Sequence, residues 1–212
     1  TFAITKASEE ELENVRTMNY QFLQSYDFTD EQIDELIAPT VNEIKEILDD
    51  DYRKTILYTK GIGLNEKNIQ HLDSSFATAL MIEPEMANDP FIKSQIHSMI
   101  RKRIDEAKVG VLKVPANYSL VSGDPYSLCQ SMFGMKVTGL LKAGQVYSKY
   151  WIDKGVDKIV SFRAPMTSHN NIRLLEVVHN ETMDEFYQYM TTPTIFNSWD
   201  TCADAMNGFD KD

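Results

Sequence analysis

Hydrophobic residues in the first half of the chain recur at the spacing of amphipathic helices. Two capping boxes mark helix starts, Ser8-x-x-Glu11 and Thr29-x-x-Gln32. After each box, apolar residues return at intervals of three and four, which is the period of one buried helix face. The pattern therefore predicts helices that begin close to these boxes and bury one side.

The same period continues beyond residue 60. A helix is predicted over about 66–81, and Asp89-Pro90 predicts another helix start because proline suits the first helical turn. From there one apolar stripe runs from Ile92 to Ile104. We interpret these stripes as core faces rather than as cofactor sites.

The period changes near residue 108 from helical spacing to short β-branched and aromatic runs. These runs are bounded by glycine, proline and polar residues, as β-strands commonly are. A short helix is predicted after the capping signal Thr182-x-x-Glu185. The predicted strands lie at 109–114, 118–121, 137–141, 145–150 and 158–162.

Length and composition are those of a globular protein with a sizeable core. The chain has 212 residues, of which 42% are hydrophobic and 25% charged. No apolar run approaches the roughly 18 residues of a membrane span. Cys129 and Cys202 lack zinc spacing, and we expect both to be buried, reduced thiols. Since the first residue is Thr1 and the last residues resemble a motif cut short, we expect a piece of a longer protein.

Charge is distributed unevenly along the chain, whose formal net charge is −11. Residues 1–50 carry a net charge of −10, residues 101–163 a net charge of +6, and residues 164–212 a net charge of −6. A basic segment followed by an acidic one suits a protein that meets phosphates with the first and holds metal with the second. The alternative is that basic residues such as Arg101, Lys102 and Arg103 decorate a solvated helix face, and for these three we favour it.

The last residues contain two carboxylates in alternate positions, Asp210 and Asp212. On extended backbone, alternate side chains point to the same side, so both carboxylates can reach one ion. Hard oxygen ligands of this kind suit Mg²⁺, which also keeps waters and substrate phosphates. An acidic, solvated turn is the alternative interpretation. Asp200 and Asp204 are four residues apart, and we assign both to the surface.

Three stretches of the second half, 113–120, 139–150 and 162–175, occur in an order found in the catalytic barrel of the two-barrel RNA polymerases. Gly-Leu-Leu-x-x-Gly-Gln-Val-Tyr at 139–147 resembles the matching run of the RNA-dependent RNA polymerases of RNA silencing. Arg-Ala-Pro at 163–165 resembles the same tripeptide in the largest subunit of cellular multisubunit RNA polymerases. Asn-Ile-Arg-x-Leu follows, as in the silencing enzymes. The compact, acidic chain is most similar in style to single-chain polymerases of bacteriophages and prophages.

The resemblance covers about residues 75–212 and implies an α+β fold. A helical connector region (1–107) would precede an incomplete double-psi β-barrel (108–212). In the family an Asp-x-Asp-Gly-Asp loop follows these motifs and binds Mg²⁺. Asp210 and Asp212 would be the first part of that loop, and nucleotidyl transfer with two metal ions would be its chemistry.

The resemblance also implies roles for single residues. Arg163 would contact the ribose or phosphates of the incoming nucleotide, with a structural ion pair as the alternative. Pro165 would rigidify the turn, and Asn207 could contact ribose hydroxyls, although its spacing to Asp210 is one residue longer than in the multisubunit enzymes. For His169 a loop hydrogen bond is favoured over proton transfer. Three lysines could meet backbone phosphate or could be simply solvated: Lys113, Lys142 and Lys149.

The function predicted from these residues is template-directed RNA synthesis by a longer polypeptide, of which this piece alone would be inactive. Its partners would be nucleoside triphosphates, a DNA or RNA template, the RNA product, and the rest of the same polypeptide upstream and downstream. The location would be the cytoplasm, that of the host if a phage encodes the chain. A non-enzymatic helical interaction module of a phage or bacterial protein is the alternative. A hydrolase comes last, because no second motif supplies a matched general acid.

Overall fold

A computed structural model describes residue 12, residues 14–48 and residues 75–206. The described residues divide into two compact units, a helical unit and a sheet unit. The helical unit contains residues 15–23, 27–48 and 75–115, and the sheet unit contains residues 12, 14, 24–26 and 116–206. Helices and strands occur together in the chain, which confirms the predicted α+β class. The capping box at Ser8 lies outside the described residues.

The helical unit is built mainly from two long helices. Its two short strands, β1 (Arg16–Thr17) and β2 (Lys113–Val114), pair antiparallel with Arg16 opposite Val114. The elements in this part of the chain are β1 (Arg16–Thr17), α1 (Tyr20–Gln24), α2 (Asp30–Leu48), α3 (Ser75–Ile82), a 3-10 turn (Pro84–Asn88), α4 (Pro90–Lys108) and β2 (Lys113–Val114).

The predicted helix starts at 30 and 90 are confirmed together with their capping contacts. The Thr29 backbone N–H donates to the Gln32 side chain at 3.1 Å, and the Gln32 N–H donates back to the Thr29 hydroxyl at 3.4 Å. Asp89 accepts from the N–H groups of Phe91 and Ile92 at 2.9 and 3.1 Å. Local side-chain chemistry therefore fixes where α2 and α4 begin.

The strand predicted over 109–114 is shorter than expected. The N–H groups of Gly110 and Val111 donate to the carbonyls of Ala107 and Glu106, which terminates α4. Gly110 has φ +84°, the left-handed conformation that helix ends require. These residues therefore belong to a helix cap, and only Lys113–Val114 pairs as a strand.

Arg103 is a buried cation on the apolar side of α4, with 7% of its surface exposed, and not the solvated residue predicted. Its Nη1 donates to the Val111 carbonyl at 2.9 Å, and its Nε lies 3.7 Å from a Glu43 carboxylate oxygen on α2. Lys113 pairs with the same Glu43 carboxylate. The hydroxyl of the buried Thr40 accepts the Lys113 backbone N–H at 3.2 Å. This cluster joins α2, α4 and the start of β2.

Replacing Arg103 with methionine is expected to lower the free energy of unfolding of the helical unit by about 2 kcal/mol. The substitution leaves the Val111 carbonyl without its donor, while Glu43 keeps its ion pair with Lys113. Urea unfolding followed by far-ultraviolet circular dichroism measures the effect. Lys102→Met is the control, because it also removes a cation from α4. The Lys102 side chain is 79% exposed, and its ion pair with Glu106, at 3.9 Å, contributes little in water. Equal losses in both variants would contradict the role given to Arg103.

The sheet unit alternates short helices with strands. Each element is brief, and hydrogen bonds from loops supplement the strand pairing. The elements are β3 (Val121–Ser122), α5 (Pro125–Met132), β4 (Gln145–Tyr147), α6 (Lys149–Ile152), β5 (Lys158–Phe162), a 3-10 turn (His169–Asn171), β6 (Ile172–Val177), α7 (Glu181–Tyr187), β7 (Thr194–Phe196) and α8 (Cys202–Ala205).

Five strands form one mixed sheet in the order β3-β7-β4-β6-β5. β4 and β6 are parallel, as are β3 and β7, while β4–β7 and β5–β6 are antiparallel. Consecutive residues of the central strands enter different cores, because side chains alternate along a strand. Val146 and Phe196 join one apolar cluster, and Tyr147 and Ile195 join another. Both faces of the sheet centre are therefore buried.

The strand predicted over 137–141 is wrong. The N–H groups of Thr138 and Gly139 donate to the Gln130 side chain at 2.9 and 3.0 Å. The Leu140 N–H donates to the Asp124 carboxylate at 3.2 Å. Side chains thus take the donors that a strand ladder would need, and the segment runs as a loop.

Three smaller predictions also need correction. The strand predicted over 145–150 ends at Tyr147, and α6 begins two residues later. α7 is capped by Asn180, whose side chain accepts the Met183 N–H at 3.0 Å, and not by Thr182. Cys202 is buried as expected, but Cys129 is exposed.

Candidate functional site

The loop that joins β5 to β6 carries the predicted nucleotide-binding residues. Arg163 follows the last residue of β5 and is exposed, as is Pro165, whose peptide bond with Ala164 is cis. Met166 is buried and attaches the middle of the loop to the unit. The loop therefore presents an arginine from an anchored segment.

Asn171 closes this loop with its side chain. Its Oδ1 accepts the N–H groups of Thr167 and Ser168 at 2.7 and 2.9 Å and the Thr167 hydroxyl at 3.1 Å. Its Nδ2 donates to the Ala205 carbonyl at 2.8 Å. Ala205 is the last residue of α8, and Asn207 follows two positions later in the sequence. One amide thus ties the arginine loop to the helix that precedes the predicted acidic motif.

The run at 139–147 is held by the buried Asn197 and the half-buried Asp200. The Asn197 side chain donates to the Leu141 carbonyl and accepts the Asp200 N–H at 2.8 Å. The Asp200 carboxylate in turn accepts the Gly144 N–H at 2.6 Å. Asp200 is therefore a structural acceptor rather than the surface carboxylate predicted, whereas Asp204 is exposed as expected.

Asp124 organises the start of the same run. It is 3% exposed and accepts four donors, namely the N–H groups of Tyr126 and Leu140 at 2.9 and 3.2 Å and the hydroxyls of Ser127 and Tyr187 at 2.8 and 2.6 Å. Four hydrogen bonds compensate for burying a carboxylate.

Two buried tyrosines, each hydrogen-bonded to a carboxylate, are held in the protonated form. Burial, reinforced by the hydrogen bond to Asp124, raises the pKa of the Tyr187 hydroxyl. Burial and the nearby charge of Asp184 raise the pKa of Tyr147 to about 12, and its hydroxyl donates to Asp184 at 3.2 Å. Both hydroxyls therefore remain donors across the neutral pH range.

Gly139 is required by this arrangement. Its φ is +67°, and a Cβ added there would lie 2.7 Å from both the Asp124 carboxylate and the Ser127 hydroxyl. A side chain would be strained by the backbone and would also displace a buried acceptor. Local structure thus explains why the Gly-Leu-Leu motif begins with glycine.

The three predicted phosphate-binding lysines have different surroundings. Lys142 is exposed in the sheet unit. Lys149 pairs with Asp153 at 2.9 Å, one turn along α6. Lys113 belongs to the helical unit and is half-buried beside Glu43, so its charge is already partnered. Their binding to nucleic acid remains a prediction.

The predicted metal ligands Asp210 and Asp212 lie outside the described residues, as does Asn207. Among residues 12, 14–48 and 75–206, no group of three His, Cys, Asp or Glu side chains could hold a metal ion.

His169 is exposed in the 3-10 turn, and its ring meets that of Tyr26 edge-on at 5.3 Å. No helix in the described part of the chain is long and apolar enough to cross a membrane.

Sequence reasoning missed three residues that organise the site: Asp124, Asn171 and Asn197. One signal was available for Asp124, because Asp124-Pro125 repeats the helix-start dipeptide that correctly predicted α4. Asn171 lies in the Asn-Ile-Arg-x-Leu motif, but no local pattern predicts its contact with Ala205 or that of Asn197 with Leu141, because these partners are distant in sequence.

The chain is similar to a bacteriophage polymerase along almost its full length. It is 30% identical over 211 residues to the DNA-directed RNA polymerase YonO of Bacillus phage SPbeta. The match covers 98% of this chain and 24% of the relative, so the chain spans about a quarter of the length of the protein it matches. No family model matches the chain, and no solved structure matches it significantly. The predicted resemblance to phage RNA polymerases is confirmed at this level.

Proposed function

We propose that the chain is part of a template-directed RNA polymerase. The observation that carries the proposal is the similarity to YonO, which extends over 98% of the chain and therefore includes both units. The order of the motifs at 139–147, 163–165 and 171–175 supports the same function independently of that similarity. The anchored loop that presents Arg163 supports it from the structure.

The chemistry of the donor set fits magnesium at Asp210 and Asp212, because Mg²⁺ prefers carboxylate oxygens in combination with water and phosphate. When bound, Mg²⁺ would stabilise charge on the attacking and leaving oxygens of nucleotidyl transfer. Arg163 would bind the triphosphate or ribose of the incoming nucleotide with its fixed fork of donors. Asn207 would contact the ribose hydroxyls, and Pro165 would hold the loop in shape.

The fold proposed for the sheet unit is the first part of a double-psi β-barrel. In the described residues β3 and β5 are the two edge strands of the five-stranded sheet, and the edge of a sheet is the place where further strands are added. The strands that close the barrel would come from the rest of the same polypeptide. The length of YonO, about four times that of this chain, supports a larger whole.

We propose DNA as the template, because the relative YonO is a DNA-directed RNA polymerase. The products would be RNA chains made from nucleoside triphosphates. Since the relative belongs to a bacteriophage, the proposed location is the cytoplasm of the bacterial host.

Transcription by the complete polypeptide of the gene tests the function. The purified protein is incubated with the four ribonucleoside triphosphates, Mg²⁺ and a DNA template of defined length, and labelled products are separated by size. We expect ribonuclease-sensitive products that require both template and Mg²⁺. An equimolar RNA template determines the template class. No incorporation on either template would contradict the proposal and favour the non-enzymatic interaction module.

A further inference from the structure

The carboxyl end of α5 concentrates large apolar side chains that are exposed. Leu128, Met132, Phe133 and Met135 are each between 58% and 79% exposed. Leu128 and Met132 lie one helical turn apart and therefore share one face of the helix. Single exposed apolar residues are common on protein surfaces, whereas a contiguous group marks a site of interaction. We call these four side chains the α5 face.

The backbone presents the α5 face in a defined conformation. Gly134 has φ +67°, and its N–H donates to the Ser131 carbonyl at 3.1 Å. The Met135 N–H donates to the Gln130 carbonyl at 2.9 Å, which completes a Schellman motif at the end of the helix. In this motif the residue after the glycine commonly makes an apolar contact with the helix residue five positions earlier. That residue is here the buried, polar Gln130, so Met135 is ordered and yet directed outward.

Trp199 extends the apolar surface beyond the helix. Its side chain is 69% exposed, and its Nε1 donates to the carbonyl of Val137, two residues after Met135, at 3.3 Å. Its backbone N–H donates to the Asn197 side chain at 2.7 Å. Because the one polar atom of the indole is already bonded, the ring offers apolar surface beside the α5 face.

The charge of this surface indicates what class of molecule it binds. Residues 125–135 include no Asp, Glu, Lys, Arg or His, although 25% of the chain is charged. Nucleic acid is bound largely through Lys and Arg contacts to phosphates, so a surface without cations does not suit a template or product strand. The centres of protein interfaces are depleted in charge and enriched in aromatic residues and Met. The occupant that fits is therefore an apolar protein surface.

We propose that the α5 face docks against an apolar surface of another domain of the same polypeptide. The inference rests on the proposed function, in which this chain is one part of a larger polymerase. The match covers 24% of YonO, so a polypeptide of that length has about three quarters of its residues outside the matched region. A linked domain is present at an effective concentration on the order of millimolar, far above that of a second copy in solution. Linkage therefore favours a domain of the same polypeptide over self-association.

Methionine oxidation in the complete polypeptide tests the docking without a substitution. The purified protein is treated with hydrogen peroxide, and the sulfoxide at each methionine is followed by peptide mass spectrometry. Added N-acetylmethionine amide gives the rate of full exposure, and Met206, which is fully buried, gives the rate of a core side chain. We expect Met132 and Met135 to oxidise at least about fivefold more slowly than the added reference, because a covered thioether is shielded from the oxidant. A smaller protection overturns the proposal.

Protein concentration identifies the occupant. Protection by a linked domain is independent of dilution, so the rates at Met132 and Met135 should agree between about 0.1 and 10 μM protein. Protection that is lost on dilution indicates a second copy and overturns docking within one polypeptide.

Phe133→Lys places a charge in the proposed interface. We expect Met135 to oxidise at least about fivefold faster in this variant, because an unpaired charge is costly to bury and the docked domain is released. Tyr189→Lys is the matched control, since Tyr189 is an aromatic residue of the same unit, is 87% exposed and lies outside the α5 face. Met135 should stay protected in the control.

Met206 reports whether Phe133→Lys remains folded. If Met206 stays protected and the rate at Met135 does not change, the docking proposal is overturned. If Met206 oxidises as well, the variant has unfolded, and the wild-type rates at Met132 and Met135 decide the case.

The outcomes separate this inference from the proposed function. RNA synthesis by a wild-type protein whose Met132 and Met135 are unprotected overturns the docking and leaves the polymerase function standing. A protein that makes no RNA overturns the function, while its oxidation rates still show whether the α5 face is covered.

Discussion

RNA synthesis by the complete polypeptide is expected to fall at least about a thousandfold when Asp210 or Asp212 is replaced with alanine, since a ligand to a catalytic metal contributes several kcal/mol. Each change removes a carboxylate from the proposed Mg²⁺ site. The rate of nucleotide incorporation at saturating template measures the effect. Raising the Mg²⁺ concentration should recover part of the activity, because weaker binding is offset by mass action.

Asp204→Ala is the control for this experiment. Asp204 is an exposed carboxylate on α8, six residues before Asp210, and we assign it no contact with metal. Its removal changes the net charge by the same amount and should leave the rate within about twofold, because an exposed charge interacts weakly in water. A comparable loss in Asp204→Ala would show that general acidity, rather than a metal site, supports the reaction. Full activity in both Asp210→Ala and Asp212→Ala would remove the proposed metal site altogether.

Replacing Asp124 with alanine is expected to lower the free energy of unfolding of the sheet unit by about 4 kcal/mol, since buried donors left without an acceptor each cost roughly 1–3 kcal/mol. The carboxylate accepts from Tyr126, Ser127, Leu140 and Tyr187, and it is 3% exposed. Its loss frees the start of α5 and the loop before β4 at once. Urea unfolding followed by tryptophan fluorescence reports on this unit, because both tryptophans of the chain lie in it.

Tyr187→Phe separates the contribution of one donor from that of the carboxylate. It removes the hydroxyl 2.6 Å from Asp124 and leaves the other three hydrogen bonds in place. The expected loss is about 1.5–3 kcal/mol, the usual contribution of one hydrogen bond to a charged group. If Asp124→Ala costs no more than Tyr187→Phe, the carboxylate does not organise this part of the unit.

Local signals predicted those parts of the fold that depend on neighbours in sequence. The starts of α2 and α4 follow from capping side chains within three residues, and β5 was predicted with its observed bounds, 158–162. The loop at 137–141 has the composition of a strand, yet its N–H groups bond to Gln130 and Asp124. These partners lie 8 to 16 residues away, so no local pattern reveals the competition.

The candidate site shows the same division between features with a local signal and contacts between residues distant in sequence. Arg163 and Pro165 were predicted from a motif, and the structure describes them in one exposed loop. The sequence predicts the same phosphate-binding role for Lys113 and Lys142. In the structure, Lys113 is already paired with Glu43, which lies 70 residues earlier. The contact of Asn171 with Ala205 spans 34 residues and could only be found from the packed unit. Such pairings arise from tertiary structure, which side-chain periodicity does not encode.

The unequal exposure of the two cysteines makes the sheet unit convenient to label. Cys129 lies on the open side of α5, whereas Cys202 packs in the apolar cluster with Val146 and Phe196. In this 212-residue chain, a maleimide dye would attach to Cys129 while the native fold shields the other thiol. A fluorophore at that place sits on the helix that carries Gln130, whose side chain restrains the loop that follows, and no residue of the chain needs to be replaced.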